Sequence, residues 1–481
     1  MIINSVIDIL NEEFDCSIDT SYYGNINDWD CWWRGYYEPF HQFIESSGGR
    51  FIRRKLYSLK MAKKVCEDWA SILLNEKTRI TVDDEQSQLF LTGNEESGGL
   101  LQHSNFWTLA NRLTEKSFAL GTGAIVAKLD GMKLASDKIV PDAGTRIKFE
   151  YIPASGIIPL TTENGEITEA AFVSSKMIRG KEYAYVQIIT RSDKGYKINN
   201  RYYLSESGSL KPSSLPPGTA EIVEFNTNIP PFVIISPNLE NNIIGNQGLG
   251  LSIYANSIDN LMGVDLAYNN FNRDFKLGGK KVFMNTSLTR FDENGNIITP
   301  DDVAQQLFVS TDGDMSEGGV GRLIQEYNPE LRVDENQNGI QAQLDYLSFK
   351  CGLGTKHYQF NSGSIVTATQ YMGDKQELVQ NAAKHYIPVQ NALINLTKFI
   401  LWAAKNLCAE SVNPDANVTI QFEDSYIIDK ESERLRDQQE VRDGLMKKWE
   451  YRVKWRGESE EDAKRILSES DTNDELMGFD E

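Results

Sequence analysis

The sequence predicts an α+β fold spread over about two to four domains, on three observations. Its 481 residues are enough to bury several cores without disulfides or metals. Between about residues 124 and 235, short β-branched and aromatic runs alternate with turn signals, as expected of a strand-rich unit. Over 363–409 a small, threonine-rich run passes into a helical period of about forty residues, longer than an ordinary globular helix and suited to a strut in a larger assembly.

Composition narrows the function. A net charge of −20 argues against clamping nucleic acid through a basic surface, because that mode needs lysine and arginine to neutralise phosphates. It is compatible with a wall past which a polyanion slides, since like charge prevents sticking, and equally with an ordinary acidic protein. Cys16, Cys31, Cys66, Cys351 and Cys408 include no close pair and read as free thiols of a reducing compartment. No basic-then-apolar leader and no run of eighteen apolar residues is found, so neither standard export nor a membrane span is expected.

In chain order, Trp29, Trp32, Trp33, Tyr36, Tyr37, Phe40 and Phe43 crowd beside Asp28 and Asp30, as either a local core or an interface patch. A helical pattern is read over 52–75, with Leu56, Leu59, Val65, Trp69 and Leu73 near one side. Arg53, Arg54, Lys55, Lys60, Lys63 and Lys64 form its basic, solvated face. A helix over 106–119 is closed by Gly121 and Gly123 and followed by a strand at 124–129, the reverse of the order around a dinucleotide-binding turn. Strands expected at 149–152, 170–173, 183–189, 195–198, 201–204, 221–225 and 232–235 make an antiparallel meander.

Ser252 is the expected N-cap of a helix over 253–275, along which Asp259, Asp265 and Asp274 suit a solvated face. The preceding Gly245-Asn-Gln-Gly-Leu-Gly250 loop lacks the lysine of a phosphate-binding loop. Strands and turns resume over 277–331, with a strand at 280–284, a hairpin turn at 292–296 and a helix start at 299–302. Asp334, Asn336, Asn338, Gly339 and Asp345 fit a calcium loop by spacing, but the last position is Asp instead of Glu and 329–333 reads as strand; a polar capping turn is expected. A helix over 340–352 then makes, with that at 253–275, two neighbouring struts with a strand-rich module at their far end.

In the long helical period, Leu378, Ala382, Tyr386, Val389, Leu393, Leu396, Ile400, Ala403 and Leu407 recur every three or four residues, Asp374 is placed in the first turn, and Pro388 is expected to bend or break the helix. A strand at 418–422 and a charged helix over 430–454 follow. Gly457 ends that helix, and Ser459-Glu-Glu-Asp462 has the form of a capping box for a last one ending near 468. His41, His103, His357 and His385 are far apart in sequence, so no catalytic residue, metal or cofactor is expected.

Several motifs resemble a known family. Ile420-Gln-Phe-Glu-Asp-Ser-Tyr-Ile-Ile-Asp-Lys430, with Met446-Lys-Lys-Trp-Glu-Tyr-Arg-Val-Lys-Trp455 and Gly457-Glu-Ser-Glu-Glu-Asp-Ala463, closely resembles the end of the portal proteins of long-tailed double-stranded DNA phages of Gram-positive hosts. Ser58-Leu-Lys-Met-Ala-Lys-Lys-Val-Cys-Glu-Asp-Trp-Ala70 with Asn75-Glu76 resembles that family's N-terminal motif. Thr367-Ala-Thr-Gln370 resembles its Thr-Ala-Thr-Glu segment, with Gln370 replacing the acidic residue and Tyr371 the usual small apolar one.

The resemblance implies a portal-like fold with wing, helical stem, strand-rich clip and helical crown, assembled as a homo-oligomeric ring of typically twelve subunits at one capsid vertex, with no enzyme activity. It assigns 1–245 mainly to the wing, 246–275 to the first stem helix with Asp259 and Asp265, 276–339 to the clip and 340–357 to the second stem helix. It assigns 358–372 to the tunnel loop, 373–415 to a long bent helix hinged at Pro388 that joins channel to wing, and 416–481 to the crown and acidic tail. Ser362, Gly363, Ser364, Ile365, Val366, Thr367, Ala368, Thr369 and Gln370 become the channel and tunnel-loop residues, whose uncharged side chains give DNA no salt-like grip. Lys350 and Lys356 are the nearest positive charges, and contact with the DNA backbone or with carboxylates of neighbouring subunits fits them equally. Implied partners are double-stranded DNA passing without sequence readout, terminase, the head-tail adaptor, and the major capsid and scaffolding proteins, in a virion assembled in the host cytoplasm. The competing reading is a non-portal virion structural or adaptor protein.

Overall fold

The computed structural model is α+β and describes residues 2–14, 16–47, 50–75, 77–94, 97–135, 138–206, 209–285, 293–294, 308–311, 324–360, 368–422, 430–457, 459–460 and 462–467. The expected meander is present. Ile157–Glu163, Glu166–Ile178, Lys181–Ser192, Gly195–Glu206 and Ser209–Pro212 pair in sequence order, all antiparallel, and Ile222–Phe225 adds to Gly195–Glu206. Two of its turns are two-residue hairpins, Asn164-Gly165 and Arg179-Gly180, with positive φ at both positions, which matches the twist of the flanking strands. The runs at 195–198 and 201–204 are one strand, because the polar residues between them are used inside the sheet: Asn200 is buried, accepts from Tyr185 Oη at 2.7 Å and donates to Ala220 O at 2.7 Å. The strands at 124–129, 149–152 and 232–235 leave the meander and form a second sheet, in the order Phe232–Ile235, Gly123–Asp130, Arg146–Pro153, on which the helix Phe106–Leu120 packs.

Five of the seven N-terminal aromatics, Trp29, Trp32, Trp33, Tyr37 and Phe40, belong to the core. The helix Tyr22–Arg34 buries Tyr22, Ile26, Trp29 and Trp32, and Trp33, Tyr37 and Phe40 pack against the same core. An unanticipated helix, Ile2–Phe14, lays Ile3, Val6, Ile7 and Leu10 on the meander beside Ile158, Val186 and Tyr203. The 52–75 helix requires correction. Gln42–Ser47 and Arg50–Lys55 form an antiparallel hairpin, and the helix is Met61–Leu73. The buried 3.6 period of Met61, Val65, Trp69 and Leu73 starts only at 61, whereas Arg50–Lys55 is exposed throughout and Ser47-Gly-Gly49 is a turn signal in the sequence.

Both struts exist with shifted bounds. The first is Ile258–Leu277, preceded by a short 3-10 turn at Ala255–Ser257, so Ser257 holds the cap position and Ser252 is buried inside the loop instead. The second is Val333–Lys350, which places Asp334, Asn336, Asn338 and Gly339 in a helix rather than a capping turn. The nearby strand is Ile324–Tyr327 and not 329–333. Lys281–Asn285 pairs parallel with Phe308–Thr311 and antiparallel with Ile324–Tyr327, giving the expected strand module between the struts. The helix start at 299–302 and all of the 292–296 turn except 293–294 lie outside the described residues.

The long helix, Ala368–Leu407, runs 40 residues without interruption through Pro388, and Asp374 lies beyond its first turn. Proline has no N–H to give Lys384 O. Asn238 takes that place: its Nδ2 donates to Lys384 O at 2.8 Å and its backbone N–H to His385 Nδ1 at 3.0 Å. Beyond the long helix, Val418–Gln421 pairs with Arg79–Val82. The expected 430–454 helix is two, Lys430–Arg442 and Lys448–Arg456, broken where Gly444 takes positive φ. Asp437 rejoins them, accepting from Trp455 Nε1 at 2.9 Å and pairing with Lys454 at 2.6 Å. Leu435 and Leu445 are exposed, as suits so charged a segment. Gly457 caps Lys448–Arg456 in the left-handed conformation, and Asp462 N–H donates to Ser459 Oγ at 3.1 Å, as the sequence indicated.

His385 lies edge-on to Trp69 and Phe118, and burial, aided by Lys384, lowers its pKa to about 4. Because that is below the ordinary value near 6.5, full stability is present above about pH 6.5 and is lost as pH falls toward 4, by on the order of 3 kcal/mol in total. Thermal melts between pH 7 and 4.5 should show a smaller fall for His385→Gln than for the parent; equal falls would refute the assignment. Asn238→Ala should lose about 0.5–1.5 kcal/mol at neutral pH by removing the hydrogen bond to Lys384 O, which water can reach.

Candidate functional site

The struts run antiparallel, since Asp274 near the end of the first accepts from Arg332 at 2.9 Å and from Asn336 at 2.8 Å at the start of the second. Deeper in the pair, Gly263 lies under Gln343, where a Cβ would come within 2.5 Å of Oε1. Leu261, Val264, Ile340, Leu344 and Leu347 are buried in the same core.

Asp259 is exposed, as expected, but Asp265 is not on a solvated face. It is 4% exposed, accepts from Leu59 N–H at 2.7 Å and lies 2.9 Å from His41 Nε2. His41 is fully buried, its Nδ1 faces Tyr37 N at 2.8 Å and Tyr37 O at 3.0 Å, and because a carboxylate only accepts, Nε2 carries the proton donated to Asp265. The solvated-face expectation fails for Asp265 because its cover comes from residues more than two hundred positions away.

Past the second strut, the segment 351–360 is pinned on several sides. Trp69 Nε1 donates to Cys351 O at 3.0 Å, Asn381 Nδ2 to Gly352 O at 3.0 Å, Ser348 Oγ to Gly354 O at 2.7 Å and Gln341 Nε2 to Tyr358 O at 2.8 Å. Gly352 and Gly354 turn the chain at positive φ. Tyr358 Oη donates to Asp68 at 2.9 Å, while Lys64 and His357 also face that carboxylate. Burial pushes the Asp68 carboxyl up, but the hydrogen bonds from His357, Lys64 and Tyr358 outweigh it and hold the group below the usual carboxylate range. Burial raises the Cys66 thiol, and that of Cys351 to about 12, so neither is a nucleophile at neutral pH. Asp68 and Trp69 stand in the Ser58–Ala70 motif; the helical period also marks Trp69, whereas the resemblance is the one sequence signal for Asp68.

Lys350 ends the second strut and Lys356 takes positive φ in the pinned segment; both are exposed and neither forms an ion pair among the described residues. Ser362, Gly363, Ser364, Ile365, Val366 and Thr367 lie outside the described residues. Ala368, Thr369 and Gln370 begin the long helix, so the last part of the expected 358–372 loop is helical. Among the described residues no group of His, Cys, Asp or Glu is placed to hold a metal ion, and no helix is long and apolar enough to cross a membrane.

Removing the Asp265 carboxylate leaves the Leu59 N–H and the His41 Nε2–H buried without an acceptor. Asp265→Ala is therefore expected to cost about 3–5 kcal/mol, and Asp265→Asn less, in chemical denaturation. A change under 1 kcal/mol in the alanine variant would contradict this.

Comparison with known proteins agrees with the motifs. Residues 19–476 match the family described as phage portal protein, SPP1 Gp6-like. A chain from the virion of a native gene transfer agent particle matches at 10% identity and a TM-score of 0.35, over 82% of this chain and 87% of that one. No curated protein matches. The family is structural rather than catalytic. With the match spanning nearly the whole length, the chain belongs to the SPP1 Gp6-like family of phage portal proteins.

Proposed function

We propose that this protein forms a ring-shaped channel of twelve copies at one vertex of the capsid of a long-tailed phage of a Gram-positive host. Double-stranded DNA passes through it during packaging and ejection. The single observation that carries the reading is the family match over 19–476. The antiparallel strut pair, with a strand module at one end and the pinned 351–360 segment at the other, supports it.

In this reading the struts Ile258–Leu277 and Val333–Lys350 are the stem, and the strands between them are the clip, where terminase and then the head-tail adaptor dock. The long helix joins channel to wing, and the C-terminal helices form the crown inside the capsid. Capsid and scaffolding proteins contact the outside of a ring assembled in the host cytoplasm. ATP hydrolysis belongs to terminase. The net charge of −20 per chain, −240 for twelve, suits passage without adhesion once counterions screen it.

Native mass measurement with electron microscopy of the same sample tests the reading. A closed ring with an axial hole and a mass near 650 kDa, twelve copies of 54.4 kDa, is expected. A monomer or dimer that persists at high concentration and across salt would overturn it. Lys350→Glu with Lys356→Glu separates the two roles of those lysines: slower DNA packaging by intact rings indicates contact with phosphates, whereas fewer rings indicate pairing with a neighbour's carboxylates.

A further inference from the structure

Among the described residues the hairpin Gln42–Ser47 and Arg50–Lys55 pairs only with itself, and it exposes Phe51 at 82% together with Ile44 and Arg53. It flanks the first strut: Tyr57 N–H reaches Asn269 Oδ1 at 3.4 Å, and Arg53, Lys55, Asn269, Arg273 and Lys276 line one groove. Arg53, Arg273 and Lys276 form no ion pair among the described residues, so this edge is basic in a chain of charge −20.

The first strut meets the second through its opposite face, by Asp274 with Asn336 and Gly263 with Gln343. At about 100° per residue, Asp334, Asp345 and Phe349 lie half a turn away from Asn336 and Gln343, with Glu335 and Tyr346 beside them. Asp334, Glu335, Tyr346 and Phe349 are exposed. Hairpin, first strut and second strut therefore stand in a row, basic at one edge and acidic at the other. The Asp274–Asn336 contact sets Arg273 and Lys276 level with Asp334 and Glu335 along the pair.

A ring is built from two different patches that meet head to tail, and its rotation carries no shift along the axis, so patches at one level face each other. We propose that the hairpin edge clasps the outer face of the second strut of the next copy, with Arg53, Arg273 and Lys276 opposite Asp334 and Glu335. This rests on the ring reading above.

Sedimentation velocity of the full chain at low and high salt tests it. Arg53→Glu with Arg273→Glu should lower the ring fraction about tenfold, and adding Asp334→Lys and Glu335→Lys should restore it. All four side chains are exposed, so thermal melts should stay close to the parent's. A second measurement avoids charge reversal: Arg53→Cys with Glu335→Cys should give a ladder of covalently linked copies under a short thiol cross-linker, and neither single variant should. Parent rings that persist in the double charge variant, or a missing ladder, would overturn the clasp while leaving the ring reading intact. Unchanged rings with weaker retention of double-stranded DNA on filters would replace the clasp with a phosphate-facing surface. A parent that forms no ring removes both.

Discussion

A carboxylate withdrawn from water has to be met by donors, and the placement of Asp265 shows how much of the molecule that requirement organises. One donor is the His41 ring at the base of the hairpin, where His41 O also accepts the Leu56 N–H that closes it. The other is the backbone of Leu59, just before the Met61–Leu73 helix. The acceptor is on the first strut. Three parts of the chain that share no local sequence signal are thus fixed to one another by two hydrogen bonds, and the hairpin is held beside the strut rather than free to swing.

Trp69 makes a similar junction from an apolar side chain with one polar handle. Its ring packs against Phe118 and His385, so the Met61–Leu73 helix, the Phe106–Leu120 helix and the long helix meet there, while its N–H fixes Cys351 O at the exit of the second strut. Asn238 serves the long helix in the same way, filling the place of the proline's missing donor. In each case a buried polar group is satisfied by a distant segment, and the segment is positioned as a result.

Local pattern made much of this legible. The helix Phe106–Leu120, the meander, the strut pair and the long helix all follow from period and turn chemistry within a few residues. The errors came where two local readings competed. Arg50–Lys55 has too few apolar residues to declare a period, so it was absorbed into the helix that follows; Asn199 and Asn200 looked like a turn because their partners are on other strands. Asp265 looked solvated for the same reason, since a period states which residues share a face but not what covers it. The helical period points to Trp69 as an apolar position, but Asp68 is marked by the family motif alone.

The brace at Pro388 has a mechanical consequence. A 40-residue helix spans about 60 Å, and proline would ordinarily make its middle compliant. Asn238 meets Lys384 O and the His385 ring at the turn that the proline leaves open, and Leu378, Ala382, Val389 and Leu393 are buried on both sides of it. A bend at the proline would have to pull one of those flanks out of the core, so the stretch from Leu378 to Leu407, about 45 Å long, is carried by the surrounding body as one rod.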